Sequence, residues 1–444
     1  MQRLLLALTV ITLSAVWLLG QSPFPDEINV GLFIFICAAT LWITEAIHLT
    51  ATALITPLLA TVFNVFPVNT ALTAFAHPII FIFLGGFSLA AAMQHVGLDV
   101  RIANQILKLS GGNGLKAITL LFLVTAILSM WVSNTAVAAL MLPLTLGLLN
   151  RLHIADYSTK VFVLLGMAYS ASIGGMGTLV GSPPNAIVAA QLNLSFNQWL
   201  LFGLPLVAVL LPILLFVLYL RLKPIGLNTP FEFEAQNAKS DINIKPVLVI
   251  FLMTVSLWLF GQPIGKALGI EKYFDAVVAL FAIITLVGSQ QVPWQTIQTK
   301  TDWGVLILFG GGLCLSSILK ETNTSAFIAQ HLASGLSELP FFILLSAVIL
   351  FVIFLTELTS NTATAALLVP LFISLAHSMQ VDHAALALGI GFAASCAFML
   401  PVATPPNAVV FGSGEVKQRD MMSAGFMLNI SAAILLPILL WWLV

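Results

Sequence analysis

Long apolar runs separated by short polar stretches make up most of this chain. They cover about 4–20, 29–48, 50–66, 76–95, 161–191, 199–221, 245–261, 274–289, 303–320, 383–412 and 424–443. About 20 apolar residues in a helix cross the ~30 Å hydrocarbon layer of a bilayer. The pattern therefore predicts eleven crossings. Two further stretches, 117–148 and 340–376, are too long for one crossing. Each has Ser-Asn-Thr near its middle and a proline toward its far end, Pro143 and Pro370. They are read as re-entrant hairpins, because non-helical backbone at membrane depth is tolerated where protein or a water-filled cavity surrounds it. Segments 97–111 and 322–336 alternate apolar and polar residues at helical spacing, as helices lying along the interface do.

Composition narrows the class. Of the 444 residues, 60% are hydrophobic and 7% charged, and mean hydropathy is +1.07. A soluble chain carries about 25% charged residues. A cytosolic enzyme, a secreted disulfide domain, a fibrous repeat and a disordered tail are excluded. What is left is an all-α polytopic membrane protein. The net charge of −1 offers no basic surface for nucleic acid. Cys37, Cys314 and Cys396 are far apart in apolar runs and read as buried small side chains. Residues 1–20 could be a signal peptide, but no small-x-small cleavage site precedes Gln21. They read as the first crossing.

Charge asymmetry orients the layout. With the N-terminus inside and two hairpins that do not cross, the inner segments hold Arg3, Arg101, Lys108, Lys116, Arg151, Lys160, Arg221, Lys223, Lys239, Lys245, Lys300, Lys417 and Arg419. Only Lys266, Lys272 and Lys320 fall outside. Cytoplasmic loops carry such an excess. The expected location is the plasma (inner) membrane, with a cytoplasmic N-terminus and an extracytoplasmic C-terminus.

The chain also repeats itself. Phe83-Leu84-Gly85-Gly86 returns as Leu308-Phe309-Gly310-Gly311, Ser133-Asn134-Thr135-Ala136 as Ser360-Asn361-Thr362-Ala363, and Pro183-Pro184-Asn185-Ala186 as Pro405-Pro406-Asn407-Ala408. The separations (84 to 309, 134 to 361, 185 to 407) are 225, 227 and 222. Five crossings lie between equivalents, so the copies are opposed in the bilayer. The organisation read from this is a first helix at 1–28, a repeat at 29–222, a cytoplasmic linker at 223–244 and a second repeat at 245–444. Inverted repeats with interrupted helices point to a secondary transporter with its site near the midplane.

A hairpin tip leaves backbone N–H and C=O groups without intrahelical partners. The N–H groups and the helix dipole favour an anion; the carbonyls favour a small hard cation. Ser, Asn and Thr add neutral oxygens and donors for both. They are also ordinary helix caps. The paired prolines remove two donors each and are read as the interruption of 161–191 and 383–412, leaving carbonyls free just before them.

These motifs, with Thr44-Glu45-Ala46-Ile47, resemble the divalent anion:sodium symporters, which carry dicarboxylates, citrate or sulfate. The resemblance spans nearly the whole chain. It implies eleven spans, two opposed hairpins, two broken helices and a homodimer in which a transport domain moves against a scaffold as an elevator. It implies two or more co-transported Na⁺. One site would use Ser129, Ser133, Asn134 and the backbone of Gly181; the other Thr356, Thr359, Asn361 and the carbonyl of Ala403. Substrate carboxylates would meet Asn134, Thr135, Ser182, Asn361, Thr362, Thr404 and Pro405. Two intact Ser-Asn-Thr copies favour a C4-dicarboxylate over sulfate. Ser182 stands where relatives have threonine, which bears on selectivity.

Sequence places no Lys or Arg beside these motifs, so sodium is the expected source of positive charge. Glu45 and Glu357 sit within apolar runs, where carboxylates are functional candidates. Glu45 is read as interfacial; Glu357 is left as either an outer-sphere partner of a cation site or a proton carrier. The expected protein is a transporter and not an enzyme. Against the leading sodium-coupled reading stand a sodium-independent dicarboxylate exchanger, a citrate or sulfate transporter of the same family and, from another class, a membrane-embedded hydrolase or an ion channel.

Overall fold

The computed structural model describes residues 2–230, 243–270, 272–336 and 339–444. Those residues are all-helical, apart from one isolated bridge between Asn113 and Pro230. A chain with so few charges closes its backbone hydrogen bonds within helices, the option open to a polypeptide in hydrocarbon. The first half runs α1 (Gln2–Gly20), α2 (Asp26–Thr44), α3 (Leu49–Val62), α4 (Val68–Thr73), a 3-10 turn at Ala74–Ala76, α5 (Pro78–Val96), α6 (Leu98–Lys108), α7 (Gly114–Ser129), α8 (Asn134–Arg151), α9 (Tyr157–Gly174), α10 (Pro183–Leu192) and α11 (Phe196–Leu222). The second runs α12 (Lys245–Phe260), α13 (Gln262–Ala267), α14 (Phe274–Gly288), α15 (Trp294–Lys300), α16 (Trp303–Glu321), α17 (Thr324–Leu336), α18 (Phe341–Thr356), α19 (Asn361–Met379), α20 (His383–Ala394), α21 (Pro405–Gly412) and α22 (Gln418–Leu443). Residues 231–242 of the expected linker lie outside the described residues.

Among the described residues, seven helical stretches are long and apolar enough to cross a membrane: Gln2–Gly20, Asp26–Thr44, Val68–Val96 (α4 through α5), Phe196–Leu222, Trp303–Glu321, Asn361–Met379 and Gln418–Leu443. Each apolar run maps onto a helix or a pair of them. α3, α12 and α14 are 14, 16 and 15 residues long, shorter than a full crossing. α4, α13 and α15 were not expected; they are six or seven residues long, too short for a periodic signal.

Polar caps mark helix ends. Asn113 accepts from Lys116 N, Asp156 from Thr159 N, Asp382 from Ala384 N and Ala385 N, and Asp302 from Val305 N. Ser195 and Gln198 form a reciprocal capping box on α11. Between these ends, small residues let helices approach closely, as they do in membranes. A β-carbon on Gly85 of α5 would lie 2.6 Å from Ala279 Cβ of α14. One on Gly311 of α16 would lie 2.5 Å from Ala53 Cβ of α3.

These two contacts reveal an exchange between the halves. α5 packs on α14, and α16, its counterpart, packs on α3. α8 packs on α21, and α19 packs on α10. Within each half the hairpin lies on its own broken helix, α7 and α8 on α9, and α18 and α19 on α20.

Candidate functional site

Each hairpin turns at the expected motif. α7 ends at Ser129 and α8 begins at Asn134, with Ser133 as N-cap accepting from Ala136 N. α18 ends at Thr356 and α19 begins at Asn361. Ser129 and Ser133 therefore do not share a helix; the turn lies between them, and Ser129 meets Asn134. Ser129 Oγ donates to Asn134 Oδ1 at 2.6 Å. Thr356 Oγ1 donates to Asn361 Oδ1 at 2.8 Å and to the Ala394 carbonyl at 3.0 Å. The Thr359 hydroxyl is turned elsewhere, to Thr364 Oγ1 at 2.7 Å and Leu355 O at 3.0 Å.

The long apolar runs 161–191 and 383–412 are both broken, but not by their prolines. The first helical halves end at Gly174 and Ala394, and the second begin at Pro183 and Pro405. Prolines at the first two helical positions start a helix, because their missing N–H groups would have no partner there. The unwound loops lie before them, over 175–182 and 395–404. Asn185 ties its loop by donating Nδ2 to Gly175 O at 2.9 Å and Thr178 O at 2.7 Å. Asn407 donates to Ala397 O at 3.1 Å and Leu400 O at 3.0 Å. The partners stand ten and seven residues before the asparagine in both halves, so the sequence repeat is also a repeat of bonds.

One cavity of about 1160 Å³ gathers this chemistry. Ser133, Asn134, Thr135, Gly181, Ser182, Thr359, Asn361, Thr362, Ala403, Thr404 and Pro405 line it. Ser129 and Thr356 stand behind the lining, fully buried, against the two asparagines. Four helices, α8, α10, α19 and α21, begin at this cavity, so four positive dipole ends face it. Four others, α7, α9, α18 and α20, end beside it, so four negative dipole ends are close by as well. N-terminal ends suit an anion and carbonyl ends a cation, side by side.

Around Asn134 the donors are nearly all oxygen. Its Oδ1 faces Ser129 Oγ and the carbonyls of Gly181 and Ala171. Such a set suits a small hard cation. Turned over, the same amide would instead donate to Ser129 Oγ at 2.6 Å, Gly181 O at 3.3 Å and Ala171 O at 3.2 Å.

Two cations also line the cavity, contrary to the sequence reading. Arg3 and Lys300 are on its wall with Glu45, Asp302 and Glu357, two basic against three acidic side chains. Arg3 is 3.8 Å from Glu45, both substantially exposed. α1 and α15 bring these groups in from distant sequence. Sequence reasoning also missed Ser172 and Ser395, which line the cavity; Ser395 Oγ is 3.4 Å from Ser182 Oγ. The Ala171 and Ala394 carbonyls carry no residue-type signal. Asn185 and Asn407 could have been found, since both belong to the repeated motif.

A family model described as citrate transporter matches residues 39–391 and 268–444. An uncharacterized transporter of Haemophilus influenzae is 49% identical over 436 residues, covering 96% of this chain and 94% of that one. A sodium-dependent dicarboxylate transporter of Staphylococcus saprophyticus is 32% identical over 458 residues, covering 95% and 88%. Its counterpart in Staphylococcus aureus is 33% identical, covering 93% and 85%. Among solved structures, the YdaH transporter of Alcanivorax borkumensis shares the fold at TM-score 0.61 and 15% identity, covering 84% of this chain and 87% of that chain. MtrF of Neisseria gonorrhoeae does so at TM-score 0.58 and 13% identity, covering 96% and 97%. The family and these relatives are transporters, not enzymes, which removes the membrane-embedded hydrolase from the alternatives. The chain is a multi-pass membrane transporter and belongs to the divalent anion:sodium symporter family, within the citrate-transporter pattern.

Proposed function

We propose that the protein is a sodium-coupled symporter of a C4-dicarboxylate such as succinate, malate or fumarate. The observation that carries this is the convergence of four helix N-termini and two hairpin-tip oxygen clusters on one cavity whose wall bears more acid than base. A dicarboxylate brings two negative charges, and stripping water from a carboxylate costs several kcal/mol. Helix ends offset about 0.3–2 kcal/mol each. Arg3 and Lys300 are outnumbered. Sodium at the clusters of Asn134 and Asn361 supplies what is missing. The first cluster would use Ser129, Ser133, Asn134 and Gly181; the second Thr356, Thr359, Asn361 and Ala403. Thr135, Ser182, Thr362, Thr404 and Pro405 would hold the carboxylates with the two asparagines. The relatives named as sodium-dependent dicarboxylate transporters support the substrate and the ion.

In this reading α7–α11 and α18–α22 move as a unit against the remaining helices, which hold a homodimer in the inner membrane. The N-terminus and the 223–244 linker are cytoplasmic. The cavity then opens to the cytoplasm, since Arg3 and Lys300 border it. A second reading, a sodium-independent exchanger, rests on the turned-over amide of Asn134, whose two N–H groups would face the oxygens of the first cluster with no ion.

Uptake of labelled succinate into proteoliposomes separates the two. Accumulation that needs an inward sodium gradient supports symport. Counterflow of equal size with choline replacing sodium overturns it.

A further inference from the structure

The clusters at Asn134 and Asn361 are related by the repeat, yet the loops behind them are built differently. Loop 175–182 contains Gly175, Gly177 and Gly181 and closes its own turns. Gly177 N donates to Gly174 O at 2.9 Å, a turn without a counterpart in the other loop, whereas Gly181 N to Thr178 O at 3.3 Å is matched there by Ala403 N to Leu400 O at 3.2 Å. Loop 395–404 has no glycine. At the separation of 222, its counterparts of Gly177 and Thr178 are Met399 and Leu400. Their N–H groups donate instead to Glu357, Met399 N to Oε1 at 2.8 Å and Leu400 N to Oε2 at 3.0 Å. Asn429 Nδ2 of α22 donates to Oε1 at 2.7 Å.

Glu357 occupies the position that Met130 holds in the first half, at the separation of 227 that relates Asn134 to Asn361. Met130 brings no charge: its side chain lies against Gly177 and its carbonyl accepts from Thr178 Oγ1. Glu357 is 3% exposed and directly follows Thr356, the residue bonded to Asn361. Both of its oxygens face N–H donors, the arrangement of a carboxylate that accepts and does not donate.

We propose that Glu357 is a positioning residue for the second cation site alone. It ties the loop that carries the Ala403 carbonyl to the tip of the second hairpin, and it sets a negative charge beside that site that the first site lacks. This rests on the sodium reading above. The two sites are therefore unequal, and the second fills at lower sodium concentration.

Sodium-dependent thermal stabilisation of the purified protein tests this, with choline holding ionic strength constant. Ser129→Ala leaves the second site to respond, and Thr356→Ala leaves the first. Glu357→Gln should raise the sodium midpoint at least tenfold in the Ser129→Ala background and leave it within twofold in the Thr356→Ala background. Glu357→Asp, which keeps the charge, should recover part of the loss. The succinate KM at saturating sodium should stay within about threefold. If Glu357→Gln does not fold, Asn429→Leu should give a smaller shift in the same direction and the same background. An equal shift in both backgrounds, or none in either, overturns the proposal. A wild-type protein indifferent to sodium overturns the symport reading instead.

Discussion

Asn134 and Asn361 each stand first in a half-helix, with a hydroxyl from the preceding helix on the side-chain oxygen. Placed between a cation's oxygens and an anion's donors, each side chain should serve both ligands. Asn134→Ala or Asn361→Ala should weaken sodium and succinate binding together, by about 10–100-fold, the range seen when a ligand set loses an orienting partner. Binding isotherms for each ligand at fixed levels of the other check this. Linkage requires the mutual effect to be equal. Thr362→Ser keeps its hydroxyl and should leave the sodium midpoint within twofold. Ser395→Ala should raise the succinate KM several-fold without moving the sodium midpoint, because Ser395 faces Ser182 rather than either asparagine. The asparagines and their neighbouring threonines were legible because Ser-Asn-Thr is duplicated at symmetric places. Ser395 was not, because its counterpart at the separation of 222 is Ile173. The carbonyls of Ala171 and Ala394 belong to the backbone, and no side chain announces them.

At the scale of helices, the close crossings α5–α14 and α3–α16 depend on residues without side chains. Gly311→Val would push branched carbons into the Ala53 backbone, whose Cα is 2.6 Å from where the first new carbon must go. Overpacking of that kind costs about 1–3 kcal/mol or more, and should lower the melting temperature in detergent by several degrees. A second test concerns motion. Gly312 of α16 and Ala366 of α19 are in contact, and a β-carbon on Gly312 would lie 2.9 Å from Ala366 Cβ. Cysteines at both positions, with Cys37, Cys314 and Cys396 replaced by alanine, are close enough to form a disulfide after slight relaxation. Oxidation should stop uptake and reduction restore it. Undiminished uptake by the cross-linked protein would favour a fixed scaffold and a rocking mechanism. The helix breaks at 130–133 and 357–360 were legible from length and polar middles. The role of Pro183 and Pro405 was misread, since a proline pair ends one helix as readily as it starts the next, and sequence does not say which.

Among the described residues many large apolar side chains face outward, as on α11, α12, α14 and α22, where Phe216, Phe260, Ile284 and Trp442 are exposed. Such a surface is stable against lipid and not against water. Orientation rests on the distribution of basic residues. A fluorescent protein fused at the N-terminus should be lit from the cytoplasm, and alkaline phosphatase at the C-terminus should be active outside. The reverse result would invert the layout and open the cavity outward. The apolar runs and the internal repetition were legible because hydropathy and motif spacing are local. The exchange of partners between halves was not, because it depends on which faces meet after folding.

That exchange has a consequence for ancestry. Each oxygen cluster is assembled from one hairpin and the broken helix of the same half, α7–α9 or α18–α20. The anion cavity needs all four helix N-termini, and α10 and α21 reach it by packing on the other half's hairpin. A half-length precursor would already have carried a complete cation cluster. It would have gained an anion site only by meeting a second copy of itself upside down in the same bilayer. Fusing two such genes would make that encounter permanent. It would also free the copies to differ, as the glycine turn on one side and the buried glutamate on the other do.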